Sequence, residues 1–278
     1  MGERKLTQAG PHQSALVTGT ARIVFMVGTP IAQARAPFLF NTHFTAQGLD
    51  RIMVPLDLAP HALPAFVSMV HGAENCDGFV VTLPHKRPLV DFVEARSETA
   101  TALHSVNVVR RDVEGRLFGD MVDGQGFWNG VATVGFEPKG TTIALAGAGA
   151  AGTAIAYEFA RRGGARIAIV TRDDDEFDRV VTLLASSAVQ VERGPPHTLH
   201  GFDMAINATP LGMSHAPGTA FPRQLLATLP GHAVVADAIT QPLDTELLRD
   251  ARALGLATVD GNAMTAGQFE LLRAVIFG

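Results

Sequence analysis

Residues 142–152 read Thr-Ile-Ala-Leu-Ala-Gly-Ala-Gly-Ala-Ala-Gly, an apolar run leading straight into Gly147, Gly149 and Gly152 at G-x-G-x-x-G spacing. Each glycine has a mechanical purpose. Gly147 permits a tight turn, Gly149 lets a pyrophosphate approach the backbone, and Gly152 lets the following helix close on the strand. Residues 153–162 are helix-compatible, Gly163-Gly164 ends that helix, and residues 165–170 form a second buried-strand run. The segment is therefore expected to be a β-α-β unit that cradles a dinucleotide, with Ala148, Ala150 and Ala151 inside the cradle. Just past its second strand come Thr171, Arg172 and the acidic run Asp173-Asp174-Asp175, in the region about twenty residues on where such folds read the adenosine ribose.

The 278 residues suffice for two moderate domains, each with its own core. A formal net charge of −5 gives no electrostatic reason to expect nucleic acid or an anionic membrane as partner, so small molecules are expected instead. The one cysteine, Cys76, cannot form an intrachain disulfide and has no metal-ligand spacing around it; no metal site is expected. The N-terminal segment is polar and lacks the apolar core of a signal peptide, which points to the cytoplasm. The apolar stretch 143–160 approaches membrane-spanning length, but its glycines and Glu158 suit strand-turn-helix better.

Residues 1–20 read as a flexible arm. The first half then alternates strands over 22–27, 51–56 and 78–83 with helices over 37–47, 60–71 and 88–103, proline sitting in the first turn of each helix. Residues 105–110 and 116–119 read as a hairpin around the Asp112–Gly115 turn. A boundary is expected near 124–135. Beyond it come further strands at 203–207, 233–237 and 257–260, a helix over 245–254, and a last helix from about Ala263 that could return to the first domain.

Four separated motifs resemble the shikimate dehydrogenase family: Val-Gly-Thr-Pro-Ile-Ala-Gln-Ala-Arg-Ala-Pro from Val27, Val-Val-Thr-Leu-Pro-His-Lys ending at Lys86, Ser-Val-Asn ending at Asn107 with Gly-Asp-Met-Val-Asp-Gly from Gly119, and Asn-Ala-Thr-Pro-Leu-Gly-Met from Asn207. The likeness runs from about Ala21 to Phe269. It implies an α/β chain of two domains with a cleft between them: an N-terminal mixed α/β substrate domain (21–127 plus 262–278) and a Rossmann dinucleotide-binding domain (128–261). The activity implied is reversible hydride transfer between a nicotinamide and a ring secondary alcohol or ketone, as in shikimate and 3-dehydroshikimate or a related cyclic polyol.

By the same resemblance Lys86 is the catalytic lysine and Asp123 its partner carboxylate. Removing a hydride from a secondary alcohol requires taking the hydroxyl proton, which a lysine held beside a carboxylate can accept. Thr82, Asn107 and Gln268 match polar substrate contacts. Asn207, Ala208 and Thr209 are placed along the cofactor, and Gly261 and Met264 near the nicotinamide. Two serines that commonly bind the substrate carboxylate are Ala34 and Ala36 here, with Arg35 between them as a candidate replacement. If each charge-assisted hydrogen bond contributes about 1.5–3 kcal/mol, losing both weakens carboxylate binding by about two orders of magnitude or more. Shikimate itself is therefore expected to be a poor substrate. Thr240 stands for a common tyrosine and Val122 for a threonine, so the pocket is less polar. Three carboxylates against Arg172 favour NAD over NADP. The competing reading is a dinucleotide-binding sensor with little turnover, against which the Lys86 and Asp123 pair argues; a folate-linked dehydrogenase fits these motifs less well. A homodimer is left open.

Overall fold

The computed structural model describes residues 17–194 and 197–278. The expected arm falls mostly outside them; of its described residues, Thr18 and Thr20 donate their hydroxyls to Asp50 Oδ2 at 2.8 and 2.7 Å.

Two six-stranded sheets carry the fold. The first uses β1 (Arg22–Gly28), β2 (Arg51–Asp57), β3 (Cys76–Val81), β4 (Ala95–Arg96), β5 (Val108–Arg111) and β6 (Leu117–Asp120), in the order β2-β1-β3-β5-β6-β4. Pairings to β1 are parallel and the β3-β5-β6 pairings antiparallel, so the sheet is mixed. Helices α1 (Ala36–Ala46), α2 (Leu63–Gly72) and α3 (Glu98–Leu103) accompany it. Alternate residues of β1 face opposite layers: Val24 and Met26 pack with Phe40 and Phe44 of α1, whereas Val27 packs with Phe66 and Val70 of α2.

The second sheet comprises β7 (Thr142–Ala146), β8 (Arg166–Val170), β9 (Gln190–Arg193), β10 (Met204–Asn207), β11 (Val234–Asp237) and β12 (Ala257–Val259), in the order β12-β11-β10-β7-β8-β9, all parallel. Both faces are covered, so its strands are almost continuously apolar. Ile143, Leu145, Ile167 and Ile169 pack with α5 (Ala150–Arg161) and α6 (Asp174–Leu184); the small side chains Ala144, Ala146 and Ala168 face α7 (Arg223–Leu226) and α8 (Glu246–Ala253). Strand order reverses between β7 and β10, the switch point where such sheets bind ligands. No helix among the described residues is long and apolar enough to cross a membrane.

The helix expected over 88–103 is three pieces: a 3₁₀ turn (Pro88–Phe92), β4 and α3. Pairing with the distant β6 draws Ala95 and Arg96 into an extended conformation, and Ser97 Oγ accepts from the Ala100 amide to start α3 afresh. The range 124–135, where a boundary is expected, holds α4 (Asp123–Ala132). Its glycines suggest a linker, but they are contact points. A Cβ on Gly126 would stand 2.1 Å from the Gln268 side chain, and one on Gly130 2.5 Å from the Ala263 backbone, because α9 (Gly261–Phe277) crosses α4 there. Trp128 Nε1 donates to the Ile155 carbonyl at 3.0 Å and ties α4 to α5. The far end of α9 returns to the first sheet, packing Leu272 and Ile276 with Phe40 and Val108.

One buried polar node ties β10 to β11. Asp237, 1% exposed, accepts from Asn207 Nδ2 at 3.0 Å, the Ile239 amide at 3.1 Å and Thr245 Oγ1 at 2.7 Å. Burial outweighs these bonds and pushes its pKa up from 3.8 to about 6.

Gly130→Ala is expected to cost about 2 kcal/mol in urea unfolding, because the backbone of α9 must shift. Gly231→Ala, with nothing within 4 Å, should be near neutral. For Asp237 the folded state holds the proton more tightly than the unfolded one. Its contribution is thus fully present below pH 3.8 and is lost as pH rises through about 6. The stability of Asp237→Asn relative to the wild type should therefore rise by up to about 3 kcal/mol between pH 4 and 7, whereas a flat difference would remove buried charge as the cause.

Candidate active site

The C-terminal ends of β1 and β3 and the N-terminal end of the antiparallel β5 meet at one end of the first sheet, and Lys86 is held there in the turn after β3. The Thr82 amide donates to Val27 O, the Thr29 amide to Leu83 O, and the Val106 amide to Lys86 O. His85, 1% exposed, anchors the same turn through Nε2, 2.8 Å from Leu58 O. Lys86 Nζ lies 2.5 Å from Asp123 Oδ2, with 12% of the lysine side chain and 3% of the aspartate exposed. Asp123 is the first residue of α4, where the helix N-terminus favours negative charge.

Asn107 and Gln268, expected to face substrate, turn their amides on Asp123. Asn107 Nδ2 donates to Asp123 Oδ1 at 2.6 Å and Gln268 Nε2 to the same oxygen at 2.9 Å. Asn107 Oδ1 accepts the Val122 amide at 2.9 Å, and the residue is 3% exposed. In this structure both amides orient the carboxylate, because a buried anion claims every donor in reach. Thr82 is half-buried with its methyl against Gly28. Ala34 and Ala36 lie at the start of α1 and pack on the Phe40 and Leu272 cluster; Arg35, the N-cap residue, makes no side-chain capping bond.

Across the switch point, Gly147 has φ +96° and Gly152 comes so close to it that a Cβ would stand 2.0 Å from Gly147 O. Ala148 is buried, its carbonyl accepting Thr153 Oγ1 at 2.9 Å. Gly149 caps α5 with no side chain, leaving space above the first-turn amides of Ala150 and Ala151. That is the cradle an anionic pyrophosphate needs.

Several expected cofactor contacts have other work. Asn207 is fully buried, donating to Leu211 O and Asp237 while its Oδ1 accepts both Thr209 N and Thr209 Oγ1; it shapes the Ala208-Thr209 loop and has no face open to a ligand. Asp173 Oδ1 accepts the Glu176 amide at 2.9 Å as N-cap of α6, and the residue is exposed. Thr171 accepts the Asp173 amide and donates to Glu176, and Arg172 is exposed. Gly261 is pressed on Ile239 O, and Met264 packs against the core of the second sheet. Sequence reading passed over His85, Asp237 and Glu176; only the Asp-x-x-Glu spacing of Asp173 and Glu176 announced one of them.

The family model "Shikimate dehydrogenase substrate binding domain" matches residues 26–109. The NADP(+)-dependent shikimate dehydrogenase of Rubrobacter xylanophilus is 35% identical over 253 residues, covering 89% of this chain and 88% of that protein. Among solved structures, the 5-ketofructose reductase of Gluconobacter sp. strain CHM43 aligns with a TM-score of 0.82 at 31% identity, covering 93% of both chains. Quinate dehydrogenase from Corynebacterium glutamicum in complex with NAD aligns with a TM-score of 0.81 at 26% identity, covering 92% of this chain and 93% of that one. With a third of its residues shared with such an enzyme along most of its length, this chain belongs to the shikimate dehydrogenase family.

Proposed function

We propose that the protein is an NAD(P)-linked oxidoreductase that interconverts a ring secondary alcohol and its ketone, in shikimate and 3-dehydroshikimate or a related cyclic polyol. The observation that carries this is the Lys86–Asp123 pair, 2.5 Å apart and nearly closed to water. The first sheet with residues 21–127 and 262–278 acts as the substrate domain, and residues 128–261 hold the cofactor. The open space over Gly149 and the tight Gly147–Gly152 contact fit a dinucleotide pyrophosphate. When bound, the nicotinamide supplies the hydride acceptor or donor.

The protein's own residues manage the proton. In the oxidising direction the neutral Lys86 amine takes the hydroxyl proton while the C–H hydride leaves the same carbon, and a C=O bond forms. In reverse, the Lys86 ammonium returns that proton to the oxygen as hydride arrives. Asp123 keeps the ammonium in place, and Asn107 and Gln268 keep Asp123 in place. The carboxylate end of the substrate is less well provided for. Ala34 and Ala36 offer no donor, which supports substrates that carry no acid group; 5-ketofructose, on which the Gluconobacter neighbour acts, is one such keto sugar. NAD is the favoured cofactor, supported by the acidic run after β8.

Lys86→Met is expected to lower kcat by about 10²–10⁴ while leaving the Kd for NAD within about twofold, as a lost proton carrier requires. Retention of more than a tenth of the activity would overturn the mechanism. In coupled assays at 340 nm with shikimate, quinate, 5-ketofructose and cyclic diols, the Ala34→Ser/Ala36→Ser variant should raise kcat/KM for shikimate by about tenfold or more and leave uncharged substrates unimproved.

A further inference from the structure

The second sheet holds a buried carboxylate that the proton chemistry leaves unused. Asp237, the last residue of β11, forms no ion pair among the described residues, and its two oxygens serve different neighbours. Oδ1 accepts from Asn207 Nδ2 and from the Ile239 amide. Oδ2 accepts the hydroxyl of Thr245, whose oxygen in turn caps α8 by accepting the Leu248 amide at 3.4 Å. One oxygen thus serves the end of β10 and the other the start of a helix.

The Oδ1 side leads to the glycine turn. A carboxylate can only accept, and so can the Leu211 carbonyl, 3.0 Å from Asn207 Nδ2; together they demand both hydrogens of the Asn207 amide. That leaves Asn207 Oδ1 for the Thr209 amide and hydroxyl, and Thr209 Oγ1 then accepts the Leu211 amide at 3.1 Å. Residues 208–211 are therefore wound around one side chain whose orientation Asp237 fixes. Their place is against the cradle. A Cβ on Gly147 would stand 2.8 Å from Ala208 O and 3.0 Å from Thr209 Cγ2, so loop and glycine turn are adjoining walls at the switch point between β7 and β10.

We propose that Asp237 is a positioning residue for dinucleotide binding: through Oδ1 and Asn207 it holds residues 208–211 in the shape that the cofactor meets beside the glycine turn. This rests on the dinucleotide site proposed above. The work falls to an acceptor and not to a charge, since an amide oxygen in the same place would serve Asn207 and Ile239 as well. The Oδ2 contact with Thr245 is a tie to α8 and has no part in it.

Isothermal titration of the full chain with NAD+ and with NADP+, without substrate, separates the two sides. Asp237→Ala should weaken binding of whichever dinucleotide the wild type takes by about tenfold or more, because Asn207 is left free to turn. Asp237→Asn, which keeps the acceptor, should recover all but about threefold of that loss. Thr245→Val should lower the melting temperature through the lost cap yet leave the Kd within about twofold. Should Asp237→Ala fail to fold, Asn207→Asp decides: it keeps the shape of residue 207 but sets acceptor against acceptor, and it too should cost about tenfold or more. Unchanged affinity in Asp237→Ala or in Asn207→Asp would overturn the proposal, as would Asp237→Asn or Thr245→Val binding as weakly as Asp237→Ala. Failure of both dinucleotides to bind the wild type would instead remove the cofactor site itself.

Discussion

A carboxylate buried to 2% exposure cannot be left without partners, and Asp123 obtains its partners from three separate parts of the chain. Lys86 comes from the turn after β3, Asn107 from the residue before β5, and Gln268 from the middle of α9. The helix N-terminus on which Asp123 sits adds a favourable field, but the neutralising charge is the ammonium. Removing any partner exposes the others to the cost of an unsatisfied buried anion, so the loop, the sheet edge and the helix are held in one arrangement.

Gln268 reaches Asp123 because α4 and α9 touch backbone to side chain where they cross. Gly126 leaves room for the Gln268 stem, and Gly267 sits so close that a Cβ on it would stand 2.2 Å from Gly126 O. The same two helices connect the sheets: α4 leads from β6 into β7, and α9 leads from β12 back onto β5 and α1. Packing at the crossing therefore sets how the proton-handling residues lie relative to the glycine cradle. A hydride can pass only over a short distance, and that spacing is a property of the helix crossing as much as of any residue beside the substrate.

The sequence was most legible where one face or period dominates. The strands of the parallel sheet are apolar on both faces and the glycine fingerprint is local, so both could be read without long-range information. Lys86 and Asp123 were legible through their motifs. Elements decided by distant contacts were not. Three glycines of α4 look like breakers until Ala154, Gln268 and Ala263 are known to press on Gly124, Gly126 and Gly130. The stretch 88–103 lacks an obvious interruption until β6 pairs with it. Side-chain direction was the other gap. Asp173 and Glu176 are both acidic and three residues apart, yet one caps its helix and the other takes the Thr171 hydroxyl. Asn207 likewise reads as a ligand contact by position, but its neighbours Thr209, Leu211 and Asp237 use its whole hydrogen-bonding capacity.

The two ends of the proposed substrate site are built from different materials, and this explains how one can change while the other stays. At the reacting end, charge and burial lock Lys86, Asp123, Asn107 and Gln268 together, so a substitution there leaves a buried charge or amide without its partner. At the recognition end, residues 34 and 36 stand at the start of α1 on an apolar cluster, where a methyl packs as readily as a hydroxyl. Exchanging serine for alanine there costs the fold little and removes a donor only from the ligand. In the proposed site, chemistry is thus coupled to stability and acid recognition is not, which leaves positions 34 and 36 free to follow the substrate while the proposed proton carrier remains fixed.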